Sequence, residues 1–85
     1  MKVLTRLTDE NGNETELELE DVAIFANAEE IQELMDFLKY VKEDHFIQHK
    51  ENHIPVTHSH FSMWKGKNAI KPDLQIWSVD EDENK

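Results

Sequence analysis

Five histidines, His45, His49, His53, His58 and His60, fall within sixteen residues, and no other side chains in this 85-residue chain are so well spaced for chemistry. His58 and His60 stand at i, i+2; on a strand they share one face about 6.6–6.8 Å apart, close enough for two imidazoles to reach one ion. His45 and His49 stand at i, i+4, a second chelating geometry if that stretch is helical. A zinc site could be drawn from His58, His60 and His49, with Asp44 or Glu51 as an oxygen ligand. The competing reading is structural: a pair of strand histidines hydrogen-bonded beside a helix end. It is preferred, because no third ligand follows the 45–49 pair at a recognised metal spacing. The expectation is no bound metal and no cofactor.

Other chemistry is poorly supplied. The two glycines, Gly12 and Gly66, cannot build a glycine-rich phosphate loop. Ser59, Ser62 and Ser78 lie in no nucleophile-elbow context. Without cysteine there is no thiol nucleophile, thiolate metal cage or disulfide, which fits a reducing cytosol. The chain reads as a protein that binds rather than catalyses.

Charge points to what it would bind. Nineteen acidic residues face nine basic ones, a net charge of −10. Residues 1–44 carry thirteen acids and four bases, whereas residues 45–79 carry two acids and four bases. Such a surface repels nucleic acid and anionic membranes and attracts basic proteins over a Debye length of about 8 Å. Acidity serving solubility alone is the bland alternative. The start of the chain lacks the apolar run of a signal peptide, and no stretch approaches the ~20 apolar residues of a membrane span. A cytoplasmic location is expected.

These residues must be positioned by one small α+β domain over residues 1–79, in the order β-β-α-β-β, with one helix packed on an antiparallel sheet. Residues 2–20 form a hairpin around Glu10-Asn11-Gly12. A two-residue Asn-Gly turn would mix apolar and acidic side chains on one face. A three-residue loop with Gly12 in the left-handed region groups Val3 and Leu7 with Leu17 and Leu19, facing the helix. It also sets Arg6 opposite Glu16, and leaves Glu14, Glu16, Glu18 and Glu20 in a solvent-side row. Val22–Ala26 is either a further strand or the second strand continuing past a bulge.

Asn27 is the expected N-cap, with Glu30 completing a capping box. Ile31, Leu34, Met35, Leu38 and Val41 follow as an apolar stripe on a helix from Ala28 to about Asp44, fraying toward Lys50. Glu29, Glu33 and Asp36 lie off that stripe. Val56–Trp64 alternates as a strand, Lys65-Gly66-Lys67-Asn68 is a turn, and Leu74–Val79 closes the sheet. Phe61, Trp64 and Trp77 cluster on these last strands, with the tryptophans expected inside. Residues 80–85 are expected to be a disordered acidic tail.

From Ile24 the chain reads Ile-Phe-Ala-Asn-Ala-Glu-Glu-Ile-Gln-Glu-Leu-Met-Asp-Phe-Leu, followed later by His58-Ser59-His60-Phe61 and Leu74-Gln75-Ile76-Trp77. Over residues 22–79 this resembles the small bacterial family called immunity protein 32, which has a strand, a leucine-rich helix, a His-x-His strand and a closing apolar strand. Asn27 stands where that family tends to have Asp, which preserves the cap, while Ala26 and Glu30 replace its glycines. The resemblance implies a non-enzymatic protein that neutralises a toxin, and it transfers no site residues. Combined with the charge, it predicts an inhibitor that offers Glu16, Glu18, Glu20, Glu29, Glu33 and Asp36 to a basic partner such as a nuclease toxin. A DNA mimic that blocks a nucleic-acid-binding protein, and a histidine-based metal-binding protein, are the alternatives.

Overall fold

The computed structural model describes residues 1–66 and 73–80. Its elements are β1 (Leu4–Thr8), β2 (Glu14–Glu18), α1 (Ala28–Lys50), β3 (Val56–His60), a 3-10 helix (Phe61–Gly66) and β4 (Gln75–Val79). The α+β class and the β-β-α-β-β order are those expected. The strands form two separate antiparallel pairs, β1–β2 and β3–β4.

The hairpin register follows from its loop. Gly12 has φ +82°, the left-handed region that glycine enters without steric cost. The Gly12 amide bonds the Asp9 carbonyl at 3.1 Å, and the Asp9 amide bonds the Asn13 carbonyl at 2.9 Å. The Asp9 carboxylate accepts the Asn11 and Asn13 amides, both at 2.9 Å. These bonds, that from Asn13 foremost, hold its acid below the ordinary carboxylate range. A three-residue loop results, with Arg6 opposite Glu16 and Thr5 opposite Leu17. The Leu19 amide meets the Val3 carbonyl, so Val3, Leu7, Leu17 and Leu19 share a face as expected. That face does not cover the helix. Val3, Leu7 and Leu17 remain exposed, and α1 packs instead on β3 and β4.

Helix α1 begins with the expected capping box: Asn27 and Glu30 exchange side-chain and backbone bonds at 2.9 Å. It runs without a break to Lys50, further than its apolar residues alone indicated. It ends where His53 turns to φ 57° and the Ile54 amide reaches back to the Gln48 carbonyl at 2.9 Å. Histidine is among the non-glycine residues that enter this region most readily.

The buried stripe differs from the one expected. Phe37 and Val41 are buried, with Phe61 from the 3-10 helix; Leu34, Trp64, Leu74 and Ile76 pack around them. Phe37 meets Phe61 edge-on, with ring centroids 5.1 Å apart, a favoured aromatic geometry. Ile31, Met35 and Leu38 are left exposed. Leu34 and Val41 of the expected stripe thus reach the core, and the buried line is rotated from Ile31, Met35 and Leu38 toward Phe37.

Three other expectations change. Val22–Ala26 is neither strand nor bulge but irregular chain, with Val22, Ile24 and Phe25 exposed. The strand expected to reach Trp64 stops at His60, where the chain curls into the 3-10 helix and carries Phe61 and Trp64 under α1. Asp80, assigned to the tail, is buried; its amide bonds the Pro55 carbonyl and its carboxylate meets Lys50 at 3.1 Å. The turn at Lys67-Asn68 and the tail at residues 81–85 lie outside the described residues.

Candidate functional site

The acidic set is divided between two elements. Glu14, Glu16 and Glu18 alternate along β2 on the face opposite Leu7 and Leu17, shared with Leu4 and Arg6, all exposed. Glu20 lies just beyond the Val3–Leu19 pair and is also exposed. Among the described residues the hairpin's ion pair is Arg6–Glu14 at 3.9 Å, with both side chains more than half exposed. A pair so long and so wet contributes little. Glu16, Glu18 and Glu20 thus keep their charges for solvent or a partner. On the helix, Glu29 is exposed, Glu33 is half-buried, and Asp36 accepts the Gln32 amide at 2.9 Å. Hairpin and helix carboxylates form two surfaces on separate elements.

The histidines are drawn apart by the fold. His45 and His49 extend the buried stripe, since positions 34, 37, 41, 45 and 49 repeat at helical spacing. Their imidazoles meet Ser59 and Ser78 on the inward face of the β3–β4 pair. His49 Nδ1 lies 2.6 Å from the Ile54 carbonyl oxygen and its Nε2 2.8 Å from Ser78 Oγ. His45 Nδ1 lies 2.6 Å from Ser78 Oγ and its Nε2 2.9 Å from Ser59 Oγ.

A carbonyl can only accept, and this sets the direction of every bond in the chain when both rings are neutral. His49 Nδ1–H donates to Ile54, so its Nε2 accepts the Ser78 hydroxyl. Ser78 Oγ in turn accepts His45 Nδ1–H, and His45 Nε2 accepts the Ser59 hydroxyl. Burial pushes the His45 imidazole below its ordinary value of 6.5; Asp44 opposes this, and His49 and His58 add to it. That direction favours the neutral ring for which the bonds were assigned. No buried side-chain polar atom among the described residues lacks a partner. The network is a polar extension of the core, and the helix signal that could have revealed it is the continuation of the 34–37–41 spacing to 45 and 49.

His58 and His60 occupy the other face of β3. His58 stacks on Trp77, with ring centroids 4.1 Å apart and planes 10° apart. His60 Nδ1 meets Asp73 at 2.8 Å, and the Ser62 amide bonds the same carboxylate at 2.9 Å. Partial burial works to raise the Asp73 acid, but these bonds outweigh it and hold the acid low. His49 is therefore inside with both nitrogens engaged, while His58 and His60 are across the strand. Among the described residues, no three His, Cys, Asp or Glu side chains converge on a metal position. Of the strand pair expected to be hydrogen-bonded, His60 bonds Asp73 and His58 stacks on Trp77, while the helix pair is the one carried into the core. The tryptophans divide as well: Trp64 packs on Phe37 and Phe61, whereas Trp77 is 58% exposed.

A shallow groove beside β3 is lined by Tyr40, His58, Ser59, His60, Met63 and Trp64. Among the described residues no helix is long and apolar enough to cross a membrane. No family model matches the sequence, and neither a curated protein nor a solved structure matches it significantly.

Proposed function

We propose that this chain is an acidic binding module of the immunity or inhibitor kind, acting by binding rather than catalysis and neutralising a basic protein such as a nuclease toxin. One observation carries the reading: the hairpin presents Glu16 and Glu18 on one exposed face, next to an exposed Glu20, with no ion pair among the described residues to occupy them. Their side chains are exposed and make no described ion pair, so the charge is available to a partner. A cleft that binds nucleic acid is basic, and an acidic row that enters it gains both on-rate and register. The resemblance of His58–Phe61 and Leu74–Trp77 to the His-x-His and closing strands of the immunity protein 32 pattern supports the same reading.

The test is a kinetic measurement against a basic nuclease encoded beside this gene. Changing Glu16, Glu18 and Glu20 together to Gln should slow association about tenfold and flatten its dependence on salt. Thermal stability should stay within about 0.5 kcal/mol of the parent, as for other surface changes. An unchanged rate and salt dependence would refute the role given to the hairpin. Binding to a DNA-binding protein in place of the nuclease would instead favour DNA mimicry.

A further inference from the structure

The helix carries a second apolar stripe that the chain leaves uncovered. Ile31, Met35, Leu38 and Phe46 lie along one side of α1, adjacent to the buried stripe, and all four are about half exposed or more. The hairpin shows the converse: Val3, Leu7 and Leu17 form a sheet face without a helix on it. Each chain therefore holds both halves of a sheet-on-helix contact that it does not complete.

We propose that a second copy of this chain completes it, the hairpin of each copy packing its leucine face on the Ile31–Phe46 stripe of the other around a two-fold axis. The exposed apolar area selects this occupant. Seven large apolar side chains about half exposed leave on the order of 100 Å² each. Two reciprocal contacts then cover up to roughly 1,400 Å², within the range of stable specific interfaces. Lys42 stands in the line of the stripe between Leu38 and Phe46, where its aliphatic stem extends the apolar surface while its ammonium reaches the edge.

The irregular segment between Leu19 and Ala28 supplies the reach. Eight residues span up to about 27 Å when extended, enough for a hairpin to leave its own helix and lie on a neighbour's. A closed two-fold exchange uses each patch once and leaves none exposed to build a filament. It also turns the Glu14–Glu18 face away from the contact, so the dimer and the acidic partner surface are compatible and are tested apart.

Sedimentation velocity of the full chain across about 1–200 μM, with no partner present, is the first measurement. The expected result is a species of twice the 10.1 kDa chain mass. Leu17→Glu in the hairpin or Met35→Glu on the stripe should each weaken dimerisation at least tenfold. Methyl NOEs in a mixed-label sample should connect Leu7 or Leu17 of one copy with Met35 or Leu38 of the other. A parent monomeric throughout, or dimers indifferent to both substitutions, would overturn the proposal. So would NOEs found only within one chain, which would mean that the hairpin folds onto its own helix. None of these outcomes alters the charge-substitution test against the basic partner.

Discussion

The hairpin and the α1–β3–β4 unit are held together by opposite means. In the hairpin every determinant is local: a glycine at positive φ, an aspartate that binds two loop amides, and cross-strand pairs within fifteen residues. Its leucine face contributes little burial, and a lone two-stranded hairpin is marginal in water. The other unit joins residues 20 to 33 apart in sequence, through Phe37, Val41 and Phe61 and then through the His45–Ser78–His49 bonds. The comparison teaches where the chain stores stability and where it presents surface. Side chains that hold the fold are near-neutral and inward, and the charged residues available to a partner sit where folding makes the least demand on them.

The largest expected effect lies in the unit with the core. Phe37 is fully buried between Phe61 and Trp64, so Phe37→Ala should cost about 3–5 kcal/mol in urea unfolding. A domain of this size has little more to lose. If near-parental stability remained, the thin core would not be what holds the helix to β3 and β4.

His45→Gln is next. It removes the acceptor of the Ser59 hydroxyl and one of the two partners of Ser78, and a polar group left unsatisfied in the interior costs about 1–3 kcal/mol. The same substitution examines pH. The folded His45 titrates below its unfolded value of 6.5, so the unfolded chain takes up the proton first and stability rises with pH. That contribution is complete above about pH 6.5 and is lost as pH falls toward the lower folded value. Ser59, Ser78, Asp44, His49 and His58 surround the ring and define this response. Urea midpoints measured from pH 7 to 5 should fall more steeply for the parent than for His45→Gln. Equal slopes would show that His45 is not the titrating group.

The smallest effect belongs to the hairpin. No atom lies within 4 Å of the position a Cβ would take at Gly12, so Gly12→Val meets no steric obstacle beyond its own backbone. The cost is that of a β-branched residue in the left-handed region, about 1–2 kcal/mol. Because the hairpin makes little contact with the core, amide exchange should accelerate in β1 and β2 and remain unchanged in α1. Equal acceleration in both would mean that the two regions unfold as one unit.

Local signals were legible in the residues themselves. Gly12 within a polar loop, and the pairing of apolar with apolar, determine the hairpin register, because a one-residue slip inverts both faces. Asn27 and Glu30 determine where the helix begins, since a capping box needs only its own four residues. The excess of carboxylates in the first half, and their alternation along β2, were likewise open to reading. What the residues did not disclose is which of two competing helix stripes is buried. Ile31–Met35–Leu38 and Leu34–Phe37–Val41 are similarly apolar, and period alone cannot rank them. Tertiary structure decided it: the 3-10 turn after His60 brings Phe61 and Trp64 under Phe37, and Ser59 and Ser78 accommodate His45 and His49 along the same line. A buried imidazole is tolerated only where partners satisfy both nitrogens, and those partners lie 5 to 33 residues away in sequence. Turns and caps are set by neighbours along the chain, whereas the choice of buried face is set by what the rest of the chain brings against it.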